Sequence, residues 1–196
     1  MNHSETDSAL KTAVRSAYSR IADEPHGQHA IAVGRDLALG LGYPAGLLDQ
    51  LPSGAVQSFA GVSNVHRLAT ISSSDVVLDL GCGAGMDSLI AATSAASVVG
   101  VDFSQPMLDR ARLAAERAGV ENVRFILGDA EAIGLPDSSV DVALVNGIFN
   151  LNPSRERIFS ELARVIKSGG RAYAAELIVQ DGHEPAASAS SADWFA

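Results

Sequence analysis

The sequence predicts an α/β fold, a doubly wound sheet of parallel strands, on three observations. Short apolar runs recur at residues 75–80, 97–102, 122–128, 140–146 and 171–179. Helix-length stretches separate most of them. The first run ends in a glycine-rich turn that opens a helix. Apolar strands joined by helical crossovers must be covered on both faces, which is how parallel sheets are built. The expected strand order is 3-2-1-4-5.

Taken in order, residues 1–8 read as a loose polar tail. Residues 9–22 carry Leu10, Val14, Ala17 and Ile21 on one helical stripe. Pro25 and Gly27 break that pattern, and a second helix is expected around 28–41. Residues 55–73 give no clear period beyond a short helix near 64–71. DVVLDL (75–80) is the first buried strand, residues 86–96 a helix, and SVVGVD (97–102) the second strand. The next helix has Ser104 as N-cap, Pro106 in its first turn and Gly119 at its end. Its expected apolar stripe is Met107, Ala111, Ala114, Ala115 and Ala118. Strands at 122–128 and 140–146 follow. A helix capped by Asn152, with Pro153 at its first position, buries Ile158, Leu162 and Val165. Residues 171–179 complete the set, and an Ala/Ser-rich tail follows. The expected division is an N-terminal helical segment and linker (1–73), a ligand-binding α/β domain (74–180) and a C-terminal tail (181–196).

The bulk composition narrows the function classes. The 196 residues suit one domain, and 47% are hydrophobic, enough for a core. A net charge of −9 repels a phosphate backbone, so nucleic acid is not an expected partner. The single cysteine, Cys82, excludes an intramolecular disulfide. The polar, acidic N-terminus does not resemble a signal peptide, and no apolar run reaches the roughly 18 residues of a membrane span. A cytoplasmic protein that does not bind membranes is expected. His26 and His29 lack partners that would complete a metal set, so no metal is expected.

VLDLGCGAGMD (77–87) is the strongest local signal. Gly81, Gly83 and Gly85 permit backbone angles closed to other residues and keep side chains away from a ligand. Their spacing is G-x-G-x-G. A dinucleotide turn would place its third glycine at Met86, which argues against NAD. Asp79, just before the turn, would repel a pyrophosphate and can pair with an ammonium. S-adenosyl-L-methionine carries an ammonium and no phosphate. Asp102 ends the second strand, where a carboxylate can accept both ribose hydroxyls, and Phe103 and Met107 follow it. Asp129 and Ala130 end the third strand, on the rim where open α/β sheets bind ligands, and Asp129 can accept from an adenine amino group. Each of these acids, taken singly, also reads as an ordinary strand-end or turn residue.

At these motifs the chain resembles the Rossmann-like class I S-adenosylmethionine-dependent methyltransferases, over roughly residues 70–180. VLDLGCGAGMD, VGVDFS, GDAEAIGLPDSSVDVALVN and RVIKSGGRAYAAELI look like that family's motifs in order. The resemblance implies a cofactor site of Asp79, Gly81, Cys82, Gly83, Gly85, Asp102, Phe103, Met107, Asp129, Ala130 and Asn146. The linker GYPAGLLDQLPSGAVQSFAGVSNVHRLATI, the segment LPDSSVDVALVNGIFNLNPSRERIFSELARVIKSGG and the late DWFA are similar to arsenite methyltransferases. AVRSAYSRIAD resembles the N-terminal helix of that family. Tyr18 is thereby a candidate cofactor contact, or else a core or surface tyrosine.

Two departures shape the expected function. Cysteines of the arsenite enzymes fall at Val62 and Gly147 here. Soft thiolates bind arsenic, and one thiol makes no such site, so arsenite methylation is not expected. Strands six and seven of the family sheet have no counterpart before residue 196, which predicts an exposed fifth strand covered by the tail or by a second copy in a homodimer. The resemblance therefore implies a methyltransferase acting on a small-molecule acceptor. The alternative is a shortened paralogue that binds the cofactor without turnover. No catalytic acid–base pair is identified. Asn146, Asn150 and Asn152 lie after the fourth strand, and Glu176 is a polar group within the fifth.

Overall fold

A computed structural model describes residues 3–178 of the chain. Five parallel strands form one sheet in the order β3-β2-β1-β4-β5. They are β1 (Val76–Leu80), β2 (Ser97–Asp102), β3 (Val123–Leu127), β4 (Val140–Asn146) and β5 (Ile166–Ala175). The central strands are apolar on both faces because both are covered. Val77, Leu78, Val98, Val99, Val142 and Leu144 are each 0–1% exposed.

Helix α1 (His3–Asp23) begins inside the stretch expected to be a loose tail. Helix α2 (Gly34–Gly40) is much shorter than the span expected at 28–41. Short helices α3 (Ala45–Leu48) and α4 (Ser53–Gln57) follow, then a 3-10 turn at Val65–Arg67. Pro44 and Pro52 stand at the N-caps of α3 and α4, and neither provides a side-chain cap. Helix α5 (Met86–Ala92) is wholly buried. Helix α6 (Gln105–Ala118) has the expected ends: Ser104 Oγ accepts from the Met107 amide, and Gly119 closes it in the left-handed region. Its buried stripe includes Leu108, 0% exposed, in place of the expected Ala118, which faces solvent. Burying that leucine contributes roughly 1.5–3 kcal/mol.

Two boundaries differ from the sequence reading. Helix α7 (Arg155–Val165) buries Ile158, Leu162 and Val165 as expected, but its N-cap is Ser154. Asn152 instead accepts the Ser154 amide at 2.7 Å, an Asx turn that precedes the helix. Strand β5 starts at Ile166 directly after α7, not at 171. The pair Gly169-Gly170 reads as a helix stop, yet the strand runs through it with a register shift opposite Val140 and Val142. A Cβ on Gly170 would lie 2.8 Å from the Asp141 carbonyl, so the backbones approach closely there. Asp141 ties this corner together, accepting from the Val76 amide and from Lys167, both at 2.8 Å. Lys167 holds the Asp141 carboxyl below the usual carboxylate range.

Among the described residues β5 is a sheet edge, as expected, and it is only partly buried. The tail and any cover it supplies lie outside the described residues. No described helix is long and apolar enough to cross a membrane.

Candidate functional site

The carboxyl ends of β1, β2, β3 and β4 meet α1 and the linker 55–61 around one cleft. This is where an open α/β sheet reverses its strand order and leaves a crevice. The cleft is lined by Tyr18, Asp79, Gly81, Cys82, Gly83, Asp102, Phe103, Met107, Asp129, Ala130 and Asn146. Gly85, also expected there, lies behind the wall.

The three glycines serve three purposes. A Cβ on Gly83 would meet nothing within 4 Å, so this residue faces open space. A Cβ on Gly81 would fall 2.4 Å from Ile148 Cγ2, so the loop after β4 packs on that bare backbone. Gly85 has φ +84°, and a Cβ there would lie 2.9 Å from Phe125 and 3.0 Å from Ala111. It permits close packing of turn, strand and helix. Gly81 and Gly83 line the cleft, and Gly83 alone has open space where its Cβ would be. Cys82 is a small buried filler under the turn, its Sγ 2.9 Å from where a Cβ on Gly100 would sit. Burial pushes its thiol well above the ordinary value, which keeps it protonated.

Asp102 is 6% exposed and accepts from the Gly83 amide at 2.9 Å and the Ser104 amide at 2.8 Å. It thus shapes both the glycine turn and the start of α6. Burial still raises its carboxyl to about 6, against those backbone hydrogen bonds. Asp79 is 2% exposed and accepts from Ser88 Oγ at 2.5 Å. Burial, then the charge of Asp87, raises it to about 7. Asp87 also lines the cleft. It accepts from Tyr43 Oη at 2.6 Å and Asn146 Nδ2 at 2.9 Å, with His66 Nε2 at 3.2 Å. Three carboxylates thus sit buried in one wall. The basic side chains among the described lining residues, Lys11 and Arg15, both come from α1.

Lys11 is ion-paired, and Arg15 stands over an aromatic ring. Lys11 reaches Asp129 at 3.3 Å and also pairs with Glu131. Asp129, expected to meet an adenine amino group, therefore spends one oxygen on Lys11 and the other on the Glu131 amide at 3.0 Å. Each carboxylate oxygen keeps a second lone pair. Arg15 lies 5.6 Å over the Phe103 ring, and Tyr18 meets that ring edge-on at 6.5 Å. Tyr18 is thus both a cleft residue and part of the α1 packing. Ser19 and Ser104 hydroxyls are 3.0 Å apart, a further tie from α1 to the α6 cap.

Asn146 lines the cleft but its amide is spent. Oδ1 accepts from the Val62 and Ser63 amides at 2.9 and 3.1 Å, and Nδ2 donates to the Ser63 carbonyl at 2.8 Å and to Asp87. It fastens the linker to the sheet and has no donor left for an acceptor molecule. Glu176 fastens the next loop: it accepts from the Phe149 and Asn150 amides at 2.7 and 3.1 Å. Val62 and Gly147, the two positions that the resemblance sets against cysteines of the arsenite enzymes, lie side by side. A Cβ on Gly147 would lie 2.9 Å from Val62 Cγ1. The sequence reading missed Lys11, Arg15, Ser58, Asp87 and Ile148 as cleft residues. Arg15, Ser58, Asp87 and Ile148 lay within quoted segments, but nothing in those segments marks them as ligand contacts.

Residues 71–193 match the family model described as a methyltransferase domain. An arsenite methyltransferase of Halobacterium salinarum is 34% identical over 141 residues, covering 70% of this chain and 36% of the relative. A phosphatidylethanolamine N-methyltransferase of Cereibacter sphaeroides is 36% identical over 118 residues, 58% of each protein. The crystal structure of the YcgJ protein of Bacillus subtilis superposes with a TM-score of 0.53 at 34% identity, over 54% of this chain and 45% of that one. The chain thus spans less than two thirds of the length of each.

Proposed function

The chain belongs to the methyltransferase domain family, Rossmann-like and S-adenosylmethionine-dependent, and from that premise we propose that it binds S-adenosyl-L-methionine in this cleft and transfers the methyl group to a small-molecule acceptor. In this reading residues 74–180 form the cofactor domain and residues 1–73 cover it. The observation that carries the reading is the charge of the wall. Asp79, Asp87 and Asp102 are buried around the open face of Gly83 with no lysine or arginine on the sheet side of the described lining. Buried carboxylates call for a cation. An ammonium and a sulfonium supply one, and a pyrophosphate does not.

When bound, the cofactor supplies a methyl group already activated on sulfur. The residues of the chain then orient and exclude water. Asp102 presents a carboxylate to ribose hydroxyls from a position fixed by two backbone amides. Asp79 and Asp87 hold negative charge for the ammonium. Helix α1, through Tyr18 and Arg15 on Phe103, covers the end of β2. Arsenite is not the expected acceptor, since the resemblance sets Val62 and Gly147 where that family's thiolates would stand.

Calorimetry with S-adenosylmethionine, S-adenosylhomocysteine and NAD tests the cofactor. Binding of the first two and not NAD is expected, and Asp102→Ala should weaken it by roughly 1–3 kcal/mol. Unchanged affinity in that variant, or a preference for NAD, sinks the site. A labelled-methyl screen against metabolite extracts tests turnover; binding without any transfer points instead to a non-catalytic cofactor-binding protein.

A further inference from the structure

We propose that the Ser58 hydroxyl is a cofactor-binding group, donating to the carboxylate at the amino-acid end of S-adenosylmethionine; this rests on the cofactor reading above. Ser58 follows α4 and lines the cleft. It is 2% exposed, and its Oγ has no hydrogen-bond partner. Among the described lining residues it is the one whose buried side-chain polar atom is left unpaired. A buried hydroxyl without a partner costs roughly 1–3 kcal/mol, so a fold retains one where a ligand completes it.

Its surroundings select the ligand atom. Ala55, Val56 and Phe59, on either side of Ser58, pack in one cluster with Cys82 and Met86 of the glycine turn. Three residues on, Gly61 lies against Asn146, which bonds Asp87. Ser58 therefore belongs to the part of the wall that carries Asp79 and Asp87, where the ammonium is placed. The carboxylate beside that ammonium needs a donor. Lys11 is paired with Asp129 and Glu131, and Arg15 lies over the Phe103 ring, both on the α1 side of the cleft. The Asn146 amide is fully used. The Ser58 hydroxyl is buried in this part of the wall and unpaired, and a hydroxyl bonded to a carboxylate makes a strong charge-assisted contact.

The test compares two ligands on the full chain. S-adenosylhomocysteine has the amino-acid end; 5′-methylthioadenosine lacks it. Ser58→Ala should bind the first about ten-fold more weakly and the second as the unaltered protein does. Ser58→Thr, which keeps a hydroxyl, should retain most of the affinity. The Ser58→Ala melting temperature should not fall, because no protein partner is lost. Equal affinity for both ligands in wild type and Ser58→Ala overturns the assignment, as does an equal loss for both, or a melting temperature well below wild type. Failure of the unaltered protein to bind either ligand is a different result: it removes the cofactor reading and this proposal with it.

Discussion

The two walls of the cleft are built differently. The wall at β1 and β2 is local. Asp102 bonds residues 2 and 19 positions away, and Asp79 bonds Ser88, 9 positions on. The opposite wall, from α1 and the linker, is held by distant partners. Asn146 reaches Val62 across 84 positions, Tyr43 reaches Asp87 across 44, and Lys11 reaches Asp129 across 118. The local wall forms with the sheet itself. The partners of the distant wall are brought together by the fold of the sheet, and each of its ties closes a long loop. The two should therefore differ in how firmly they are held.

The largest expected effect comes from cutting the distant wall at its anchor. Asn146→Ala leaves the Val62 and Ser63 amides and an oxygen of Asp87 without partners, at a cost of about 2–3 kcal/mol. Hydrogen exchange should speed up at residues 58–66 while the amides of β1 and β2 stay protected. Equal loss of protection in both regions would show that the walls do not separate. Tyr43→Phe shares the Ser63 carbonyl and Asp87 with Asn146. The two substitutions should therefore be non-additive by roughly 0.5–3 kcal/mol in a double-mutant cycle.

This contrast also explains what the sequence disclosed. Strands β1 to β4, helix α6 with its Ser104 and Gly119 caps, and the strand order were readable, because each rests on an apolar run or a cap within a few residues. Asp79 and Asp102 were readable as strand-end carboxylates for the same reason. The role of Asn146 was not: its motif suggested a cofactor contact, and only the fold brings the linker to its amide. The start of β5 was not readable either, since a glycine pair such as Gly169-Gly170 signals a stop as readily as a bulge. Ser58 sits in a stretch without periodicity, and nothing local marks its hydroxyl as unpaired.

A second, smaller effect titrates the local wall. The folded carboxyl of Asp79 is raised to about 7 and that of Asp102 to about 6, above the roughly 3.9 of an unfolded Asp. The unfolded chain therefore loses these protons first. Their contribution to stability is full below about pH 4 and is lost as the pH rises towards 7. The cofactor-free protein should thus gain less stability between pH 5 and 7 than Asp79→Asn does. A cationic cofactor favours the ionised forms, so its affinity should rise over the same interval. Cofactor affinity that is flat from pH 5 to 8 would mean that the charge of this wall is not what the ligand meets.

The smallest effect belongs to the outermost tie. Lys11 bridges α1 to Asp129 and Glu131, but its side chain is 32% exposed. Solvent and salt screen such pairs, so Lys11→Ala should cost under about 1 kcal/mol and less still in high salt. The α1 helix is then held mainly by packing, with Val14 and Ile21 buried and Tyr18 and Arg15 on Phe103. Val14→Ala should accordingly loosen α1 more than Lys11→Ala does, measured as exchange at residues 9–22. If Lys11→Ala instead releases the helix, the distant wall is electrostatic at its rim, and the division drawn here between packed and screened contacts fails at that point.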